Sequence, residues 1–319
     1  PYFEKGDPLE CTNYRGISLL NTMSKVLSNI LYSRLTKYTE KEIGNYQSGF
    51  RPNRSTIEQI FTLRQILQKT HEYNITTHHL FIDFKSAYGT VIREELYLAM
   101  SELNIGLPFK LIRLVQMKNT KCYVKIQSDI SKEFETTSGL RQGDALACLL
   151  FNIALEKVIR DSGIQRTNTI YYKSVQLLAY ADDIDIIAGS EKALIAFTSL
   201  EYAAKKMGLQ INENKTKYLI SRPNNKNNTT NTIGYIQIGN YKFTRVDKFI
   251  YLGSLISQDN DISSEIRKRI LNANRCYYGL VRHIKSKLLT FNSKIRIYKT
   301  LMKSVLTYAL ETKTGYKQN

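Results

Sequence analysis

Apolar residues at Leu20, Met23, Leu27, Ile30, Leu31 and Leu35 recur at spacings of three and four, which predicts a helix carrying them on one face. A second helix is predicted from "NRSTIEQIFTLRQILQ". Ser55 stands as N-cap with Glu58 three residues on, and Ile57, Ile60, Phe61, Leu63 and Leu67 form the apolar stripe. The period then changes. In "HHLFIDFKSAY" the run Leu80, Phe81, Ile82 is short and continuously apolar, as in a buried strand, and it ends at Asp83. Helices follow at Arg93 to Glu102 and in "LPFKLIRLVQM", where Pro108 lies in the first turn. Cys122, Val124 and Ile126 alternate with Tyr123, Lys125 and Gln127, the period of a half-buried strand.

Beyond "SGLRQGD", residues 145–159 are apolar nearly all round, so a centrally packed helix is predicted. Two apolar runs flank Asp182 and Asp183 in "QLLAYADDIDIIAG", which suits a hairpin with the carboxylates at its tip. A helix from about Glu191 ends at Met207 with Gly208 as C-cap. Residues 222–232 are a polar low-complexity loop, and "FIYLGSLIS" after them reads as another strand pair. From Ser263 the pattern is helical and basic, with Ile266, Ile270, Ala273, Tyr277 and Leu280 on one face and Arg267, Lys268 and Arg275 away from it, as in a separate helical lobe. Strands and helices in irregular order, with no internal repeat, favour an α+β fold over a doubly wound sheet.

Charge sharpens the class of partner. Lys and Arg total 46 against 28 Asp and Glu, a net +18 over 319 residues, which makes a polyanion the leading candidate. Cys11, Cys122, Cys148 and Cys276 are far apart with no CxxC pair, so neither a zinc knuckle nor a disulfide framework is suggested and a reducing intracellular setting is expected. No apolar stretch has the length to span a bilayer, so no membrane partner is expected. The start "PYFEKGDPLE" has neither an initiator Met nor a signal pattern and reads as an excerpt of a longer protein.

Two adjacent ionised carboxylates in an apolar run are costly unless a cation sits with them. If Asp83 ends one strand and Asp182 with Asp183 forms a hairpin tip, a sheet can gather all three. Hard oxygen donors suit octahedral Mg²⁺, and the scarcity of His and Cys argues against zinc. Two ions roughly 4 Å apart can activate an attacking oxygen and stabilise a leaving one. The plainer alternative is that Asp83 caps the next helix and the Asp pair is an ordinary turn. In "GLRQGDALACLLFN", Gly139 and Gly143 permit close backbone approach, Arg141 offers charge to phosphate, Gln142 offers neutral hydrogen bonds and Asp144 caps the apolar helix. That is a nucleotide seat or simply a capped loop. Arg15 in "NYRGISLL" and Arg51 and Arg54 in "GFRPNRST" stand near helix starts, where phosphate contacts are easy.

The order of "DPLECTNYRGISLLNTMSKVLSNIL", "GNYQSGFRPNRST", "LFIDFKSAY", "GLRQGDALACLLFN", "LAYADDIDII", "MGLQINENKTKYLI" and "FIYLGSLIS" resembles the polymerase region of non-LTR (LINE-like) retrotransposons, especially the endonuclease-reverse transcriptase proteins of arthropod elements. The resemblance covers nearly the whole chain. It implies a right-hand polymerase with fingers at residues 1–75, a palm with an antiparallel sheet and interleaved fingers elements at 76–262, and a partial helical thumb at 263–319. It implies an RNA-directed DNA polymerase that extends a primer 3′-OH with dNTPs on an RNA template, in nucleus and cytoplasm. The DNA primer would come from a nick made by an endonuclease domain expected upstream.

By the same resemblance, Asp83, Asp182 and Asp183 are expected to bind two Mg²⁺ ions, with Mn²⁺ as a substitute and the Phe84 carbonyl as a further ligand. Tyr88 matches the aromatic gate against a ribose 2′-OH, Gln142 and Gly143 the loop beside the incoming nucleotide, and Arg15 an arginine on the triphosphate. Lys215, or Lys217 close by, matches the lysine that protonates pyrophosphate. Tyr251, Leu252 and Gly253 match the centre of the primer grip. Gly89 stands where the family usually has Asp, Ala145 replaces a Pro, "LACLL" replaces "LSPLL", and "YALETKTGYKQN" diverges where a Trp is expected. These departures suit a decaying or truncated copy, so an inactive nucleic-acid-binding relic is the rival reading. A two-metal nuclease is a third, though it gives the nucleotide seat no role.

Overall fold

The computed structural model describes residues 1–3, 6–103, 105, 120–164, 175–223 and 234–312. Within them, the apolar run ending at Asp83 forms strand β1 (Thr77–Ile82), and the runs flanking the Asp pair form β2 (Val175–Tyr180) and β3 (Asp183–Ala188). With β4 (Lys217–Ser221), β5 (Tyr235–Ile238) and β6 (Tyr241–Arg245) they build a six-stranded sheet in the order β5-β6-β4-β1-β3-β2. Neighbours are antiparallel, as expected of the palm, except for the parallel pair β4 and β6.

The pleat sends alternate side chains to two cores. Leu80, Ile82, Ile184, Ile186, Tyr218 and Ile220 meet the helices, among them α1 (Thr22–Glu42), α3 (Arg93–Glu102), α4 (Ala145–Asp161) and α5 (Ala196–Lys206). On the other face, Phe81, Leu178, Ile187 and Leu219 pack with Leu63 and Leu67 of α2 (Thr56–Glu72) and with the hairpin of β7 (Lys248–Tyr251) and β8 (Ser254–Ser257). Helix α4 buries twelve of its seventeen residues, as its all-round apolar pattern requires, and Asp144 caps it by accepting from Leu146 N at 3.1 Å. Ser55 caps α2 by accepting from Glu58 N at 3.2 Å.

The pattern misleads where partners are distant. Helix α1 turns Ser28, Leu31, Leu35 and Thr39 inward, while Met23 is 79% exposed and Leu27 and Ile30 also face out, because the buried face is rotated from the predicted stripe and begins at Ser28, which donates to Asp144. The alternation at 122–127 does not make one half-buried strand. Thr120–Cys122 pairs with Phe134–Thr136 and Lys125–Ile126 with Asp129–Ile130, and among the described residues Val124 and Ile126 are exposed. A 3₁₀ turn at Glu191–Ile195 precedes α5, and Gly208 follows with φ +86°. Helix α6 (Ile262–Lys285) buries Glu265 and Arg269 and leaves Ile266 and Ile270 exposed, the reverse of the apolar face predicted. A further helical segment runs over 291–307. The helix expected around Pro108, most of the 222–232 loop and the chain from 313 lie outside the described residues. No helix among the described residues is long and apolar enough to cross a membrane.

Candidate active site

Strand pairing brings the carboxylates together. β1 and β3 pair with Ile82 opposite Ile184, so one further residue sets Asp83 opposite Asp183. Asp183 also pairs with Tyr180 of β2, which leaves Ala181 and Asp182 as a two-residue turn, with Ala181 at φ +55°. The 212–216 turn fixes the other side: Asn212 N donates to Asp83 O at 2.8 Å, and Asp83 N donates to Thr216 Oγ1 at 3.2 Å. Lys215 on that turn holds its Nζ 3.9 Å from Asp83 Oδ2, whereas Lys217 Nζ donates to Asn214 O at 2.6 Å. Of the two lysines, Lys215 is the one at the carboxylates.

Burial raises all three carboxyls. Asp83 is raised by desolvation against the pull of Lys215, and Asp182 by desolvation against Arg15 and Lys215. Asp183 is pushed up to about 6 by desolvation, then by Asp182 and Asp83. Arg15 favours the ionised form of each, so it lies within electrostatic reach of the whole trio. Asp83 Oδ2 is buried and, among the described residues, has no hydrogen-bond partner, with Lys215 Nζ 3.9 Å away as its ion pair. An orphaned carboxylate oxygen among crowded acids is a donor set that fits a hard divalent cation. The side chains are not already closed into a cage: among the described residues no three His, Cys, Asp or Glu groups converge in ligating geometry.

The 139–143 loop adjoins this end of the sheet. Gly139 has φ +83°, and a Cβ there would lie 2.6 Å from Gly89 O, so glycine is needed. Gly139 N donates to Val91 O and Leu140 N to Tyr88 O, which ties the loop to the turn bearing Tyr88. Ser18 N donates to Gln142 O at 2.9 Å, which joins the segment after Arg15 to the same loop. The Tyr88 ring stacks on Phe151 at 4.7 Å between centroids, so it is a core contact, and burial holds its phenol well above the usual range. Phe84 bridges to Ile211 beneath. Arg141 and Gln142 are half-buried and Gly143 is exposed, all on this loop.

Arg51 and Arg54, expected as phosphate contacts, each have a carboxylate partner within the protein. Arg51 is 8% exposed, pairs with Glu40 at 2.9 Å and donates to Gly44 O and Gln47 O. It braces a loop, because the fold surrounds its guanidinium with carbonyls and a carboxylate. Arg54 pairs with Glu58 at 2.9 Å and donates to Asn45 Oδ1, so its fork joins the start of α2 to the loop that follows α1.

The β7–β8 hairpin turns at Leu252 and Gly253, with φ +45° and +80°, as a two-residue turn with both residues left-handed. Tyr251 points inward, its ring centroid 5.5 Å from that of Phe81, and its phenol is held high by burial and by Asp185 and Asp183. Sequence reading missed the side chains that hold this turn. Tyr308 Oη donates to Leu252 O at 2.7 Å, Arg269 Nη2 to Gly253 O, and Arg64 Nη2 to Leu255 O at 3.1 Å, while Glu265 accepts from Leu255 N at 2.8 Å. Glu265 and Arg269 have the i, i+4 spacing of a helix ion pair, a signal that names the pair and says nothing of its burial. Gln47, in "NYQSGF", is likewise buried at the carboxylate hairpin with no local pattern to mark it.

Residues 3–256 match the family model described as reverse transcriptase (RNA-dependent DNA polymerase). The RNA-directed DNA polymerase from mobile element jockey of Drosophila funebris is 24% identical over 319 residues, covering 95% of this chain and 33% of its own. The probable RNA-directed DNA polymerase from transposon BS of Drosophila melanogaster is 25% identical over 213 residues, 64% of this chain and 23% of that one. The transposon TX1 uncharacterized 149 kDa protein of Xenopus laevis is 26% identical over 188 residues, 58% of this chain and 14% of that one. The chain spans a third or less of the length of these relatives. The solved structure of apo telomerase from Candida tropicalis, truncated from its C-terminal domain, superposes with a TM-score of 0.51 at 14% identity over 74% of this chain and 44% of that one, which shows the fold, an α+β right-hand polymerase. Because the match of 3–256 takes in the strand-end carboxylate, the glycine loop and the Asp-pair hairpin, the chain belongs to the reverse transcriptase (RNA-dependent DNA polymerase) family.

Proposed function

We propose that this chain is the polymerase part of a non-LTR retrotransposon reverse transcriptase, extending a DNA primer 3′-OH with dNTPs on an RNA template. The observation that carries the reading is the trio Asp83, Asp182 and Asp183 at one end of β1 and β3, with an orphaned buried oxygen and carboxyls raised by burial. These three would hold Mg²⁺ or Mn²⁺, with the Phe84 carbonyl as a further donor. Bound there, divalent ions supply activation of the 3′-OH and charge relief on pyrophosphate. Around them, Arg15 would bind triphosphate charge and Lys215, 3.9 Å from Asp83, would give a proton to the departing pyrophosphate oxygen. Gln142 and Gly143 seat the nucleotide, Arg141 adds phosphate charge, and the Tyr88 ring limits room at the sugar. The turn of Tyr251, Leu252 and Gly253 orients the primer end.

On this reading residues 1–75 serve as fingers, 76–262 as palm with interleaved fingers elements, and 263–319 as the start of a thumb. The nick that supplies the primer would be made by an endonuclease domain elsewhere in the full-length protein. An inactive relic is the weaker reading, since every carboxylate of the trio is present. The test is primer extension by the purified chain on an RNA template with an annealed DNA primer, dNTPs and Mg²⁺, with and without chelator. Metal-dependent lengthening is expected; shortening would point to a nuclease, and salt-sensitive binding without extension to a relic.

A further inference from the structure

Ala181, immediately before Asp182, is an alanine at φ +55°, a conformation costly for any residue with a Cβ. One side chain grips both of its backbone groups. Gln47 Oε1 accepts from Ala181 N at 2.8 Å and from Gly49 N at 2.7 Å, and Gln47 Nε2 donates to Ala181 O at 3.1 Å. The amide orientation follows from the partners, because two N–H donors need the oxygen and one carbonyl needs the NH₂. Gln47 is 1% exposed, so these bonds have no competition from water.

The segment carrying Gln47 is itself built onto the hairpin. Ala179 N donates to Tyr46 O at 2.8 Å and Ser48 N to Ala179 O at 2.9 Å, so 46–48 pairs alongside β2. Gln59 Nε2 donates to Tyr46 O at 3.1 Å and Ala179 O at 3.2 Å, and its Oε1 accepts from Ser48 Oγ at 2.9 Å. Asn152 of α4 donates to Gly49 O at 2.8 Å. Gly49 lies so close that a Cβ on it would be 2.2 Å from Ala181 N. The loop is therefore a fixed anvil, and Gln47 is the part of it that touches the residue preceding the carboxylates.

We propose that Gln47 is a positioning residue for the carboxylate pair: by holding Ala181 left-handed it sets the direction in which Asp182 and Asp183 are presented to metal and nucleotide. This rests on the polymerase reading above. Glutamine suits the task because one neutral amide supplies the acceptor and the donor together, whereas glutamate would lose the donor and add a fourth acid beside three. Alanine or methionine at 47 leaves Ala181 N, Ala181 O and Gly49 N without their partner, and the turn is free to relax out of the left-handed region.

The test uses Gln47→Ala, the near-isosteric Gln47→Met, Ala181→Gly and the double variant Gln47→Ala/Ala181→Gly. Four readouts are compared: melting temperature, affinity for an RNA–DNA hybrid, single-turnover nucleotide incorporation, and Mn²⁺ binding to the free protein by electron paramagnetic resonance. The folded single variants at 47 are expected to lose about 10²-fold in incorporation and several-fold in Mn²⁺ affinity, with hybrid affinity within about twofold. Glycine at 181 adopts the turn without a clamp, so the double variant is expected to regain part of both losses. Unchanged Mn²⁺ affinity in a folded Gln47→Met variant overturns the proposal, and so does a double variant whose losses simply add. If the wild-type chain incorporates nothing, the polymerase reading fails while the Mn²⁺ comparison still decides the role of Gln47.

Discussion

Replacing Glu265 with alanine should release the hairpin assigned to the primer end. Glu265 is 1% exposed and lies between two buried guanidiniums: Arg269 Nε is 2.7 Å from its Oε1, and Arg64 feels its charge while Arg269 opposes it. Its other oxygen accepts from Leu255 N at 2.8 Å. Arg269 in turn donates to Gly253 O and lies 4.9 Å from the centre of the Tyr308 ring, and Tyr308 donates to Leu252 O. Removing the carboxylate leaves two cations and a backbone N–H facing one another in a dry site. The loss of one member of a buried ion cluster costs about 3–5 kcal/mol, a large part of a total stability on the order of 10 kcal/mol. That corresponds to a fall in melting temperature on the order of 10 °C. Glu265→Gln, which keeps the shape and the bond from Leu255 N, should lose less. Circular dichroism melts and fluorescence anisotropy on a labelled RNA–DNA hybrid read both consequences, and hybrid affinity should fall along with stability. A Glu265→Ala protein that melts with the wild type and binds the hybrid equally would show that the Glu265 and Arg269 pair does not hold the turn.

Other outcomes follow from single contacts. Gly49→Ala puts a Cβ 2.2 Å from Ala181 N and 2.9 Å from Ala181 Cα, so the hairpin must shift and nucleotide incorporation should fall roughly 10²-fold; a folded variant with the wild-type rate would contradict this. A Cβ at Gly89 meets only Ser86 Cβ at 4.0 Å, so Gly89→Asp should leave the melting temperature within a degree or so, whereas Gly139→Ala, 2.6 Å from Gly89 O and at φ +83°, should destabilise by about 1–3 kcal/mol in denaturant titration. Burial, then His79, Arg222 and Arg245, lower His78 from 6.5 to about 4. Its folded pKa lies below its unfolded one, so the unfolded chain takes up the proton first and stability falls as pH drops from about 6.5 to 4. His78→Gln should remove up to about 2 kcal/mol of that loss, and an unchanged difference between wild type and variant across this window would refute the assignment.

What could be read from the sequence was local. The run ending at Asp83, the hairpin around Asp182 and Asp183, and the caps at Ser55 and Asp144 depend on neighbours within a few residues, and each forms as expected. What could not be read depends on remote partners. Gln47 acts across 134 residues of chain, and Arg51, which looked like a phosphate contact, is enclosed by Glu40 and by carbonyls of its own loop. Helix α6 carries a clear apolar stripe, yet its two buried residues are Glu265 and Arg269, because near its N-terminal end it meets the backbone of the β7–β8 turn, while further along it packs on the 298–307 segment. Periodicity reports where greasy positions recur; it does not report an ionic interface.

The carboxylate trio is the core of the proposed chemistry, and Asp182→Asn tests it with almost no change in shape. Single-nucleotide incorporation should be measured for wild type and variant on the same RNA–DNA hybrid, at protein concentrations giving equal occupancy by anisotropy. Loss of incorporation by about 10³-fold or more with binding retained is the expected result. Incorporation by Asp182→Asn at the wild-type rate would contradict a catalytic role for the hairpin carboxylates.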